Sequence, residues 1–318
     1  MRRVLVILVL LLLLLAAPLF WHRPAKAAVY DLAVFNTIGR LVIWELDRSS
    51  ADNIARDVIA NLQNLHNCLN LFASESEVSR LNRTPPFTSF HCSDTLWQVL
   101  LSAREAYQLT DGAFDISIGP LMRLWGFHRK RDSLPSTEEI EQTLDSVGLD
   151  KLLFDEATQS VAFTQADISL DFGGLAKGFA LDYIRPLVEK QGCQSYMLNL
   201  GGNIYCSEKP PPGQRQAFQI GIRDPADANK IVRTLALRGR FISTSANYER
   251  AVQIDEKKIG HLLDPHNGKP VQRQGSVTVI TSKGAWSDAF STAVFVADEK
   301  LAKKLGENLP DTEIIFLP

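Results

Sequence analysis

The chain has 318 residues, of which 45% are hydrophobic, 22% charged and 8% aromatic, a composition that excludes disordered, coiled-coil and collagen-like chains. With 34 basic against 36 acidic side chains the formal charge is −2, and loss of residues 1–27 would leave 30 against 36. A mildly acidic body has no bulk attraction for polyanions, which excludes nucleic acid as a partner.

Val4 to Phe20 is uninterrupted apolar sequence, preceded by Arg2 and Arg3 and followed by Ala25-Lys26-Ala27, with small residues at −3 and −1 of a cut after Ala27. These are the three parts of a secretory signal, so residues 1–27 read as a signal peptide. An uncleaved membrane anchor is the alternative, because these 17 apolar residues reach the lower end of what crosses a hydrocarbon core of roughly 30 Å. Either reading places residues 28–318 outside the cytoplasm, in the periplasm, exported or held at the inner membrane by the N-terminus. No cysteine follows the apolar run before Cys68, so lipid attachment there is not supported.

Residues 29–46 read as two strands around Thr37-Ile38-Gly39, and Ala51 to Phe72 as a helix with Ile54, Val58, Leu62, Leu65 and Leu69 on one stripe. A second helix is expected over Asp94 to Leu109 behind a Ser93 cap, and a third from Ser136, where Ser136-x-x-Glu139 forms a capping box, stopping at Gly148. Strands near 151–154, 160–163 and 168–170 precede a helix over roughly 174–190, closed by Gly192. Residues 195–281 are strand-rich, with turns at Gly201-Gly202, Pro210 to Gly213, Asp224-Pro225 and Asn267-Gly268. A long helix from Ala285 to about Ala297, a short helix and a strand from Glu313 to Leu317 complete the chain. Helices and strands intermix without β-α-β alternation, which indicates an α+β fold. The four cysteines, Cys68, Cys92, Cys193 and Cys206, lack metal-ligand spacing and read as either disulfides or buried thiols.

Four stretches carry candidate chemistry. In Asp171-Phe-Gly-Gly-Leu-Ala-Lys177-Gly-Phe-Ala-Leu-Asp182, two glycines open a helix whose free N–H groups suit a phosphate, and Lys177 in the first turn opposes the helix dipole unless an anion is near. Asp171 could equally cap that helix. Asp288 and Thr292 fall four apart on an otherwise apolar helix, so they share a face. A carboxylate and a hydroxyl form a hard-oxygen pair suited to Mg²⁺ completed by backbone, water and phosphate, although a capping aspartate and a back-bonded threonine would look the same. His261, in Gly260-His-Leu-Leu-Asp-Pro-His-Asn-Gly268, is a titratable ring beside a turn. Ser243-Thr-Ser-Ala-Asn-Tyr-Glu-Arg250 is a polar and aromatic stretch after a strand.

In this order, and together with Ser76 to Asn82, Gly112 to Phe127 and Asn199-Leu-Gly-Gly-Asn203, these motifs resemble the ApbE family of FAD:protein FMN transferases from about residue 30 onward. The resemblance implies a two-lobed α+β domain over 28–318 with mainly antiparallel sheets. It implies an enzyme that cleaves FAD, attaches FMN through a phosphoester to a threonine or serine of an acceptor protein and releases AMP, with Mg²⁺. The acceptor would be a subunit of a membrane redox complex or an exported flavoprotein, with membrane contact through the N-terminus if that is uncleaved. Carried over by motif, Ile38, Phe72, Ala113, Phe114, Asp115, Asp171, Lys177 and Leu262 would contact FAD. Gly174, through its carbonyl, would join Asp288 and Thr292 as Mg²⁺ ligands, and His261 or Asp288 would take the acceptor proton. Phe72 stands where many members have tyrosine, Ile38 near a usual methionine and Ala246 for a usual glycine. An FAD pyrophosphatase, or a protein that only binds or carries FAD, are the competing readings.

Overall fold

A computed structural model describes residues 27–213, 216–227, 229–247 and 251–318. The apolar N-terminal run lies outside the described residues, as do Tyr248 to Arg250. Among those described, no helix is long and apolar enough to cross a membrane.

The chain opens with a hairpin of β1 (Ala28–Val34) and β2 (Thr37–Ile43). Its turn is Phe35-Asn36, both at positive φ, rather than Thr37-Ile38-Gly39, which already belongs to β2. Two consecutive left-handed residues match the twist of a tight hairpin. Then follow α1 (Arg48–Leu69), capped by Asp47, α2 (Glu77–Leu81), β3 (Phe90–His91) and α3 (Asp94–Leu109) behind its Ser93 cap. α4 (Gly119–Leu124) precedes α5 (Thr137–Leu144), where Ser136 and Glu139 form the expected capping box. β4 (Leu152–Asp155) and β5 (Ser160–Phe163) pair, and α6 (Ala176–Lys190) comes next. Residues 168–170 are not a strand: Leu170 is gripped on both backbone sides by the Asn82 side chain, and Ser169 makes only an isolated bridge to Ile118.

The second half supplies β6 (Tyr196–Leu200), β7 (Asn203–Cys206), β8 (Phe218–Arg223), β9 (Ile231–Leu237), β10 (Arg240–Ala246), β11 (Ala251–Ile254), β12 (Lys257–Gly260) and β13 (Ser276–Thr281). α7 (Gly284–Val296), α8 (Glu299–Asn308) and β14 (Glu313–Leu317) close it. A seven-stranded antiparallel sheet in the order β1-β2-β6-β7-β10-β13-β14 is the frame, and the fold is α+β with antiparallel pairing in every described ladder.

One face of that sheet packs on α1, α6 and α7 in the main core, where Leu41, Leu62, Leu198, Phe241 and Phe290 are fully enclosed. The other face is covered by the β8–β9 hairpin, whose alternation turns Phe218, Ile220 and Ile222 inward against Ile242, Ile280 and Ile315. A third apolar cluster joins α4 and α5 to β11 and β12 through Trp125, Ile140, Ile254 and Ile259. All four cysteines are free thiols, and burial pushes each well above the ordinary thiol range.

Candidate active site

Helices α6 and α7 cross at two glycines. A Cβ on Gly178 would lie 2.2 Å from the Gly284 carbonyl oxygen, and one on Gly284 2.3 Å from the Gly178 carbonyl oxygen, so the two backbones touch only because both side chains are hydrogen. The crossing carries Asp288, one turn beyond Gly284, onto the first turn of α6. There Asp288 Oδ2 accepts the Gly178 N–H at 2.9 Å and lies 3.6 Å from Lys177 Nζ, with the residue only 4% exposed. The buried carboxylate thus offsets both the desolvation of the lysine and its unfavourable place at a helix N-terminus.

The capping alternative for Asp288 fails, because the start of α7 is capped from α6: Asp182 accepts the Gly284 and Ala285 N–H groups, each at 2.7 Å. Burial pushes the Asp182 carboxyl above its ordinary value, with these two donors opposing the rise. Asp288 instead sits inside α7, and Thr292 lies one turn further on the same face. A Cβ on Gly174 would fall 3.3 Å from Thr292 Oγ1, so the Gly174 backbone closes on the same point. Among the described residues no group of three or more His, Cys, Asp or Glu could hold a metal. A cation here would rest on oxygens of three kinds: carboxylate, hydroxyl and peptide carbonyl.

Asp171 does not cap α6, whose N-cap position is Leu175. Its carboxylate accepts the Gly173 N–H at 2.7 Å and the His128 Nε2–H at 2.8 Å. The backbone leading to it is fixed by Asn82 on Leu170 and by the Asp171 N–H on the Ile116 carbonyl at 2.7 Å. That is what the Ser76 to Asn82 motif does: Ser76 caps α2, and α2 delivers Asn82.

These groups face one cavity of about 530 Å³, within the usual range for a small-molecule site. Phe72, Ala113, Phe114, Asp115, Asp171, Gly174, Lys177, His261, Leu262, Asp288 and Thr292 all line it. Ile38 does not: it stands 80% exposed on β2, and its neighbour Thr37 supplies the wall instead. Register explains this, since alternate strand residues point to opposite sides. His128 and Asn203 also line the cavity and were not among the sequence candidates. His128 meets Phe72 edge to face at 5.8 Å, and Asn203 Nδ2 is buried without an acceptor among the described residues. The signal for His128 was its place directly after the Gly112 to Phe127 motif.

Asp115 is 6% exposed and accepts N–H groups from Ser117 at 2.7 Å and Leu149 at 3.1 Å. Burial raises its carboxyl from 3.8 to about 6, and the two donors only partly oppose this. The folded chain therefore holds this proton more tightly than the unfolded chain. The associated stability is complete below about pH 4 and is lost as pH rises through 6, a difference of roughly 3 kcal/mol. Urea unfolding across this window should show the wild type losing that amount relative to Asp115→Asn by pH 7. Parallel curves for the two proteins would contradict it.

The sequence model of the ApbE family matches residues 30–316. A FAD:protein FMN transferase of Klebsiella pneumoniae (strain 342) is 31% identical over 251 residues, covering 78% of this chain and 76% of that protein. One of the same name from Escherichia coli (strain K12) is 26% identical over 308 residues, covering 92% and 87%. The crystal structure of the ApbE protein of Thermotoga maritima superposes with a TM-score of 0.81 at 27% identity, covering 92% of this chain and 94% of that one. The apo flavinyl transferase ApbE of Pseudomonas stutzeri gives 0.79 at 25% identity, covering 93% and 92%. Matched over nearly all of its described length by sequence and by fold, this chain belongs to the ApbE family.

Proposed function

We propose that the protein is an FAD:protein FMN transferase that moves FMN from FAD to a threonine or serine hydroxyl of an acceptor protein, with Mg²⁺ and with release of AMP. The carrying observation is the ion pair of Lys177 with Asp288 in the wall of a cavity that Thr292 also lines. Names of the relatives support flavin transfer; the acceptor residue, the metal and the leaving group are our reading.

The donor set fits a hard divalent cation that keeps water and phosphate in its shell. Asp288 Oδ2 is committed to Gly178 and Lys177, and Oδ1 carries no hydrogen bond among the described residues. Gly174, Asp288 and Thr292 would hold Mg²⁺ there, and it would supply neutralisation of charge on the pyrophosphate. Lys177 Nζ adds a second positive charge from the protein, aimed where negative charge grows as the P–O–P bond lengthens. Asp171, held by His128, and Asp115 present fixed acceptors to FAD, while Phe72, Phe114 and Leu262 offer apolar area. The acceptor hydroxyl forms the new P–O bond on the FMN side, and AMP leaves with the bridging oxygen. Because Asp288 already serves Gly178 and Lys177, His261 is the residue we assign to take the hydroxyl proton.

We place this activity outside the cytoplasm, in the periplasm, on the strength of the N-terminal signal pattern. The acceptor is then an exported flavoprotein or a subunit of a membrane redox complex. Incubation with FAD, Mg²⁺ and an exported acceptor domain, read by intact mass, tests the reading. A gain of one FMN residue and stoichiometric AMP are expected. Free FMN without an adduct would identify a pyrophosphatase, and bound, uncleaved FAD a carrier.

A further inference from the structure

Strand β10 and helix α7 meet through a ladder of hydroxyls. Ser243 and Ser245, two apart on the strand, share a face, and Ser287 and Ser291, four apart on the helix, share another. The rungs are Ser243 Oγ to Ser287 Oγ at 2.7 Å and Ser245 Oγ to Ser291 Oγ at 2.9 Å. Each helical serine also donates to a carbonyl one turn back, Ser287 to Gly284 at 2.8 Å and Ser291 to Asp288 at 2.9 Å. The second rung continues to Thr292, whose Oγ1 lies 3.3 Å from Ser245 Oγ.

A hydroxyl has one proton, and a carbonyl oxygen can only accept. Ser291 spends its proton on the Asp288 carbonyl, so in the rung it accepts from Ser245. Ser245 has then spent its own proton, so between Ser245 and Thr292 the donor is Thr292. We propose that Ser245 and Ser291 are positioning residues that draw the Thr292 proton toward β10, leaving Thr292 to offer only lone pairs to a divalent cation beside Asp288. The proposal rests on Thr292 being a metal ligand in the reading above. Without the carbonyl at the end of the chain, the hydroxyl could turn its proton into the cavity and meet the cation with the wrong charge.

Partners that orient a metal ligand typically change affinity 10- to 100-fold when removed. The test is Mn²⁺ titrated into the FAD-loaded protein without acceptor, read by loss of the free-ion EPR signal. Ser291→Ala should weaken Mn²⁺ binding about 10-fold, and Thr292→Val should weaken it at least as much. In the Thr292→Val background Ser291→Ala should have no further effect. Ser287→Ala, the same deletion on the first rung, should bind as the wild type does. Equal losses from Ser287→Ala and Ser291→Ala, or additive losses in the double variant, would reduce the ladder to packing and overturn the proposal. If Thr292→Val weakens binding and Ser291→Ala does not, the proton assignment is wrong. If Thr292→Val itself changes nothing, the metal reading of Thr292 fails and the ladder's role with it.

Discussion

Asp288→Asn should lower FMN transfer by about three orders of magnitude while leaving the fold intact. Asparagine keeps the shape and, through its carbonyl, can still accept the Gly178 N–H now held at 2.9 Å. What it removes is the negative charge that faces Lys177 and would anchor the cation. Removing one preorganised group that stabilises transition-state charge costs on the order of 10²–10³ in rate, and here two such groups lose their anchor together. The loss should appear in kcat at saturating FAD, with circular dichroism and FAD affinity little changed. Raising Mg²⁺ should restore only part of it. His261→Ala tested in parallel separates the roles: it should lower the rate and leave Mn²⁺ binding intact. An Asp288→Asn protein that flavinylates at a tenth of the wild-type rate or better would refute the assignment.

The second large effect is expected from Gly178→Ala, a change of one methyl group. That methyl would sit 2.2 Å from the Gly284 oxygen and 2.6 Å from Asp288 Cβ, and the first of these is backbone that cannot rotate away. Overpacking typically costs 1–3 kcal/mol, and a backbone-to-backbone clash belongs at about 3 or above. For a chain of this size, with an unfolding entropy of about 2.1 cal/mol/K per residue, that is a melting temperature lower by about 5 °C or more. Activity should fall with it, because parting α6 from α7 by about 1 Å withdraws Asp288 from Lys177, and errors of that size cost about 10²-fold. Gly284→Ala should behave alike, and the two together should be less than additive, since either alone already opens the crossing. Gly306→Ala, on α8 with nothing within 4 Å of the added carbon, is the control and should be neutral or slightly stabilising. Wild-type melting of Gly178→Ala would show that the crossing is not tight.

Local signals in the sequence carried well where the decisive partners are close in the chain. Ser93 with the α3 stripe, the Ser136–Glu139 box and the C-terminal strand all stand where the pattern put them. The hairpin turn was displaced because Phe35 and Asn36 adopt left-handed backbone without a glycine, while Gly39 beside them drew attention. α2 and α4, of 5 and 6 residues, are too short to show a period. At the site, Lys177, Asp288 and Thr292 stood out because a charge or hydroxyl was set in apolar or helix-start sequence. The capping alternative for Asp288 could be rejected only with Asp182, 102 residues from the N–H it accepts. His128 and the serine ladder depend likewise on long-range register, which no single segment encodes.

The Asp182 cap and the Asp288 bond to Gly178 join segments 102 and 110 residues apart. Neither half of the site therefore exists on its own. A chain that is still emerging, threaded or only partly collapsed has no paired lysine and no aligned oxygens, however much FAD surrounds it. Activity is thus switched on by completion of the fold itself, which makes the enzyme silent wherever it is kept unfolded and confines its chemistry to wherever it finishes folding.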